Sequence, residues 1–324
     1  MNKTQNKDRL LIKRYFERQS QSKFGKDYQP AIKAVPSEAP SISRCSRLYW
    51  PRFERELHLL SEVERCACLL ALYNPCLFEL NEQRVLWTQP RPHPLSEHPL
   101  IRETTLPPLP GLYHIAKRIG VERTLRTVWL TDDADSPHVK LPYVGDLLLF
   151  LTDEQGPFLV NWSVKSTDSG FEQQLGQRPS ARRSERSQGR AKIRHQLEEL
   201  NYSEAGIQTI RITGTKLDKQ LCANLSQLYP WVIRKMTLHA DSRAKIIAEY
   251  QQIIGTPSSP LDILPTLLTR YHCTREEAQN TLYRGIWERI LPVDLFNPIL
   301  FDRPLRFAKL DPLVHYADWF RRGQ

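Results

Sequence analysis

Two apolar runs joined by a short polar segment constrain this chain more than any other feature. They are DLLLFL (146–151) and FLVNWSVK (158–165), with TDEQGP (152–157) between them. Runs of this length and content, flanking a turn that contains Gly and Pro, predict a β-hairpin. If Leu151 pairs with Phe158 across the turn, the antiparallel register sets Asp146 opposite Ser163. Strand alternation then puts Asn161, Ser163 and Lys165 on one face with Asp146, and Phe158, Val160, Trp162 and Val164 on the other. A slip of one residue would scatter the polar group, so its existence depends on the turn.

A carboxylate on one strand and a lysine on the next, with a glutamate from a preceding helix, suit metal-assisted phosphodiester hydrolysis. Mg²⁺ takes hard oxygen ligands and keeps several waters. Such an ion polarises the scissile phosphate and lowers the pKa of attacking water. The lysine orients that water or stabilises charge developing on the phosphate oxygens. The plainer reading is an ion pair across a hairpin, which at a surface contributes little.

Composition narrows the partners. The 324 residues carry a net charge of +10, with a pI of about 9.3, which favours polyanions, nucleic acid foremost. No apolar run approaches the length of a membrane span, and the N-terminus lacks the apolar core of a signal peptide, so a cytoplasmic protein is expected. Six cysteines in a chain this long predict no disulfide framework. Cys66 and Cys68, two apart in a helical pattern, read as reduced core residues.

Along the chain, a helix is expected near 8–20, followed by an extended lead-in. LHLLSEVERCACLLALY (57–73) predicts a helix with Leu59, Leu60, Val63, Ala67, Leu70 and Ala71 as its buried stripe. A later start would let Ser61 cap it, with Glu64 completing an S-x-x-E capping box. Residues 74–140 read as irregular, with strand candidates near 77–87 and 123–131. The basic stretch SARRSERSQGRAKIRH predicts a loop leading into a helix through QLEELNY, and IQTIRIT predicts a strand. Arg178, Arg182, Arg183, Arg186, Arg190, Lys192 and Arg194, set against Glu185 alone, would grip a DNA backbone beside the motif strand. The plainer reading of that stretch is a solvated loop. Helical patterns follow at 243–254, 261–272 and 274–290, the last with a Thr274/Glu277 capping box. Several helices followed by extended segments fit a small winged-helix module.

GKDY (25–28), VPS (35–37), RLY (47–49) and HLLSEVE (58–64), in that order, resemble the start of TnsA proteins, the endonuclease subunits of Tn-seven-like bacterial transposons. The similarity continues through NEQ (81–83), the strand bearing Asp146, the VK of 164–165, EELNYSEAGIQTIRIT (198–213) and VDL (293–295), and so spans most of the chain. It implies an α/β fold with a restriction-endonuclease-like, PD-(D/E)xK-type core and a C-terminal, mainly helical, winged-helix-like domain. The boundaries expected are 1–56 for the basic lead-in, 57–214 for the catalytic domain and 215–324 for a partner-binding domain.

Carried over by position, the resemblance makes Glu64, Asp146 and Lys165 catalytic. Mg²⁺, replaceable by Mn²⁺ and present as two ions, would be held by Glu64, Asp146, Ser163 and the Val164 carbonyl, with Asn161 and Glu198 in supporting positions. Ser163 stands where such nucleases usually carry an acidic residue or glutamine. The implied activity is cutting of the 5′ strands at transposon ends. It would act with a TnsB-like DDE transposase that cuts and joins the 3′ ends, and with a TnsC-like ATPase docked on the C-terminal domain. A DNA-binding and assembly subunit that has lost cutting, which Ser163 would favour, is the alternative, and a stand-alone restriction or repair nuclease is a third.

Overall fold

The computed structural model describes residues 3–40, 44–101, 106–131, 137–172 and 181–323, leaving aside the side chains of 3, 4 and 181–188. The fold is mixed α/β and falls into two compact units. One comprises Met1–Arg65, Cys76–Thr215 and Trp319–Gln324, and the other Cys66–Pro75 and Lys216–Asp318.

The first unit opens with α1 (Lys3–Gln19), more than one turn earlier than the sequence pattern suggests, and then a lead-in that is tied down at several points. Arg18 forks onto both oxygens of Glu38 at 2.8 Å. The GKDY segment is anchored to the strand edge: the Gly25 N–H donates to Glu79, and the Tyr28 hydroxyl donates to the Glu82 carbonyl at 2.7 Å. β1 (Ser46–Trp50) and β2 (Arg55–Leu59) form an antiparallel ribbon. The predicted helix from Leu57 is therefore corrected. Leu57 and Leu59 are buried as alternate strand residues, and α2 (Glu62–Tyr73) starts only after Ser61. Leucine suits both helix and strand stripes, and pairing with β1 decides between them.

β3 (Leu77–Glu82) and β4 (Val85–Leu86) follow, then α3 (Leu112–Arg118), β5 (Thr127–Trp129), β6 (His138–Lys140) and β7 (Tyr143–Val144). β8 (Leu147–Asp153) and β9 (Gly156–Lys165) make the predicted hairpin in the predicted register, with Leu151 against Phe158 and Leu147 against Trp162. The strands run further than expected and leave Glu154 and Gln155 as the turn, closed by Gly156 at φ +102°. After β9 come α4 (Ala181–Ser203) and β10 (Gln208–Thr213). The stretch expected as a loop is the first half of α4, because arginine, glutamate and glutamine are good helix formers and polarity alone does not break a helix. The central sheet has the order β10-β9-β8-β3, with β9 and β10 parallel and the other pairs antiparallel.

Both faces of this sheet are covered. On one face Leu148, Phe150 and Leu159 pack with Leu197 and Tyr202 of α4 and with Leu112 and Ile115 of α3. On the other, Trp162 donates its indole N–H to the Trp319 carbonyl at 2.8 Å and packs edge-on to Phe320. Along β9 the α4-facing positions change from Leu159 to Asn161, Ser163 and Lys165. The apolar core thus gives way to polar chemistry at the C-terminal end of the strand.

The second unit is helical: α5 (Lys219–Ile233), α6 (Ala240–Ile253), α7 (Pro260–Tyr271), α8 (Arg275–Trp287) and the short α9 (Pro312–His315), with α8 packed on α5, α6 and α7. The Thr274/Glu277 capping box is present in both directions, and a second box, Ser259/Asp262, starts α7. Among the described residues β structure here is the single bridge Val293–Phe307. Cys66 is not a free core thiol: it is bonded to Cys222 of α5, Cα to Cα 5.4 Å, across a sequence separation of 156. Cys68 is buried and outside any disulfide, as expected. No described helix is long and apolar enough to cross a membrane.

Candidate active site

Ser61 starts the site. Its Oγ accepts the Glu64 N–H at 3.1 Å, so the serine half of the predicted capping box exists. The carboxylate half is redirected. Glu64 Oε2 accepts from the Leu60 N–H at 2.9 Å and from Gln83 Nε2 at 3.0 Å, while Oε1 accepts from the Ser61 hydroxyl at 3.1 Å. Gln83 sits at φ +50°, with its own N–H donated to the Asp146 carbonyl at 2.9 Å, so one residue ties the Glu64 carboxylate to the strand that leads into β8. Only 6% of Glu64 is exposed. Burial first, and the negative charge of Asp146 second, push its carboxyl up to about 7.

Asp146 precedes β8 and faces the end of β9, as the register demands. Its Oδ2 accepts the Val164 N–H and the Lys165 ammonium, each at 2.7 Å. The ammonium also donates to the Val164 carbonyl at 2.7 Å. Lys165 and Asp146 side chains are 12% and 14% exposed, so the pair lies at the rim of the core rather than in open solvent. A buried ring, Phe171, supports Lys165: Nζ stands 5.7 Å from its centroid, the Arg211 guanidinium 5.5 Å, and the His195 ring packs edge-on at 5.0 Å. Gly170 makes room, since a Cβ there would stand 3.1 Å from Lys165 Cβ.

Behind this pair lies a fully buried polar layer. Asn161 Nδ2 donates to Glu198 Oε1 at 3.0 Å and to Thr209 Oγ1 at 3.2 Å, joining β9, α4 and β10. Burial, then the charge of Asp146, raise the Glu198 carboxyl. His195 Nδ1 lies 3.9 Å from Glu198 Oε2. Burial, followed by the positive charges of Lys165 and Arg194, lowers this imidazole to about 3, so it is neutral at physiological pH. Asn161 Oδ1, Ser163 Oγ and His195 Nδ1 are buried without a hydrogen-bond partner among the described residues. Unsatisfied buried oxygens of this kind cost on the order of 1–3 kcal/mol each unless a water or ion completes them.

The structure thus brings Asp146, Val164 and Lys165 into direct contact, joins Asn161 to Glu198, and links Glu64 to Asp146 through Gln83 and their mutual repulsion. Ser163 is beside them in register but bonds to none of them. Gln83, His195 and Phe171 are site residues that sequence reasoning missed. Gln83 lies in the quoted NEQ and His195 ends the quoted basic stretch, but neither pattern assigns it a role, and the left-handed backbone of Gln83 has no sequence signature in a residue other than Gly.

The predicted basic residues are only partly placed. Arg178 and the side chains of Arg182, Arg183 and Arg186 lie outside the described residues. Arg190 and Lys192 are exposed on α4, Lys192 opposite Glu172 at 3.4 Å, and Arg194 donates to the Val144 carbonyl at 2.9 Å.

No described group of three or more His, Cys, Asp or Glu side chains is placed to hold a metal ion. The donor set still fits a hard cation in part. A carboxylate oxygen and a backbone carbonyl already hold a cation between them, the Lys165 ammonium, and oxygen donors of that kind suit Mg²⁺. Glu64 Oε2 is filled by the Leu60 and Gln83 donors, while Oε1 accepts the Ser61 hydroxyl alone and keeps a lone pair for a ligand. No protein-family model matches the chain, and no curated protein matches it.

Proposed function

We propose that this chain is a Mg²⁺-dependent DNA endonuclease with a restriction-endonuclease-like core, acting as the TnsA-like subunit of a cut-and-paste transposase in the bacterial cytoplasm. The observation that carries the reading is the Lys165 ammonium held between the Asp146 carboxylate and the Val164 carbonyl at the end of an antiparallel hairpin, with Glu64 buried beside them. The ordered motifs from GKDY to VDL support it from the sequence side.

In this reading Asp146 and the Val164 carbonyl would hold the ion, which would supply Lewis-acid activation of the scissile phosphate and of the attacking water. The Lys165 ammonium, yielding that place to the ion, would stabilise the charge that develops on the phosphate oxygens. In its present position it stands 5.7 Å from the Phe171 ring centroid. Glu64, with its carboxyl near 7, holds or releases a proton at neutral pH, the range in which a group can accept one from water. Ser163 would act through water. The substrate would be the 5′ strands at transposon ends. A TnsB-like transposase would cut and join the 3′ ends, and a TnsC-like ATPase would dock on the helical, winged-helix-like C-terminal unit.

A second reading, a DNA-binding and assembly subunit without cutting, is favoured by the three protein donors on the Glu64 carboxylate and by the neutral Ser163, whose hydroxyl has no partner among the described residues. End-labelled transposon-end DNA, incubated with Mg²⁺, partner transposase and ATPase, separates the two. The nuclease reading expects 5′-strand nicks that vanish in Lys165→Ala, and nicks that persist in that variant would refute the site.

A further inference from the structure

Away from the Asp146 pair, four arginines line one cavity of about 450 Å³ in the first unit: Arg123, Arg126, Arg190 and Arg194, with Thr124 and Tyr143 beside them. Like charges repel, and most described arginines whose side chains have a hydrogen-bond or ion-pair partner sit on an acid, as Arg118 does on Glu204 and Arg322 on Asp153. Here only Arg126 does, held at 2.9 Å by both oxygens of the buried Asp8. Arg123 and Arg190 are exposed and have no acidic partner among the described residues. Arg194 is fixed by the Val144 carbonyl and keeps its Nε buried with no partner among the described residues. Its guanidinium also stands 5.5 Å from the Tyr143 ring centroid. Burial raises the Tyr143 hydroxyl, while Arg194, Arg126 and Arg190 pull it down, so three cationic fields overlap at one point.

We propose that this cavity is a phosphate-binding site that grips a non-scissile phosphodiester of the DNA backbone. Planar forks of N–H donors match phosphate oxygens, and the fixed pair, Arg126 and Arg194, pre-organises the cavity while the free pair closes on the anion. The liquid volume of about fifteen waters leaves room for a phosphate with its flanking sugars. Its position fits a backbone contact near the cut: Arg194 holds Val144, two residues before Asp146 on the same chain segment. Two of the four arginines stand on α4, and two belong to the 123–126 segment, which the sequence pattern offers only as the start of a strand and which lies just before β5. The proposal rests on the endonuclease reading only for the identity of the anion.

The test is DNA binding by the full chain in EDTA, where no cutting is required, followed by fluorescence anisotropy of a labelled duplex across a salt series. Arg123→Gln/Arg190→Gln removes the two unpaired guanidiniums and leaves the Asp8 and Val144 contacts in place. Loss of the grip on that one phosphodiester reduces the slope of log K against log salt by about 1 and weakens binding to every duplex alike. An unchanged slope and affinity overturn the proposal. A chain that binds DNA in this way yet never nicks keeps the cavity and loses the endonuclease reading. A parallel arm titrates inorganic phosphate and a nucleoside triphosphate into both proteins. Saturable binding of either that the variant loses, with DNA binding untouched, overturns the backbone assignment.

Discussion

Replacing Glu64 by glutamine tests how strongly the site is strained by its own charges. The native carboxyl is held near 7, against an ordinary 4.5, by burial and by Asp146. A group that binds its proton more tightly when folded makes the native state lose stability as pH rises. The penalty is absent below 4.5, grows between 4.5 and 7, and is complete above 7. A shift of two and a half units corresponds to about 3 kcal/mol. Glutamine abolishes the charge with little change of shape. Its carbonyl can still accept from Leu60 and Gln83, and its amide can meet the Ser61 hydroxyl, which is free to turn and accept. Urea unfolding of wild type and Glu64→Gln should therefore give similar stabilities near pH 4.5, with the variant ahead by about 3 kcal/mol at pH 8. Parallel pH profiles would show that Glu64 is not desolvated against Asp146, and the electrostatic account of the site would fail. The gain would come with lost function, the exchange expected where a site stores unfavourable charge.

Other parts of the molecule yield sharper structural tests. Arg55 forks onto Glu82 at 2.8 and 2.9 Å in the core and stacks 4.7 Å over Tyr28, so Arg55→Met strands a buried carboxylate and should cost about 3–5 kcal/mol in urea unfolding, with Arg55→Met/Glu82→Gln recovering much of it. Failure of the second change to rescue would mean that the loss is packing alone. His195, lowered to about 3 from 6.5, binds fewer protons folded than unfolded, so it stabilises the fold above 6.5 and loses that contribution as pH falls towards 3. NMR of the ring should show a neutral imidazole at pH 5, and titration near 6.5 would refute its burial beside Lys165. Thiol counting on denatured, non-reduced protein should find four reactive cysteines, and Cys222→Ser should cost about 2–5 kcal/mol, the range for closing a long loop. Six reactive thiols would refute the bond.

The hairpin was legible because its evidence is local: two apolar runs and a short turn leave one register that separates Asp146, Ser163 and Lys165 from Trp162 and Val164. Its burial was less so. Asn161 and Ser163 read as an open polar face, yet α4 covers them, a consequence of residues more than thirty positions away. Leu57 and Leu59 illustrate a competing pattern, since their spacing suits a helix until β1 offers a strand partner. The Cys66–Cys222 bond and the arginine cavity both depend on tertiary proximity, which spacing cannot encode. The α4 extension could have been read from propensity, but the clustering of arginines suggested a loop.

The central claim is that Asp146 and Lys165 form a metal-dependent cutting site, and strand-specific cleavage tests it most directly. Transposon-end DNA labelled separately on each 5′ end would be incubated with Mg²⁺ or Mn²⁺, partner transposase, ATPase and either wild type or Asp146→Ala. The account predicts metal-dependent 5′-strand cuts with the wild type that disappear in the variant, while 3′ cuts remain. Identical 3′-only products from both proteins would contradict it and leave an assembly subunit in its place.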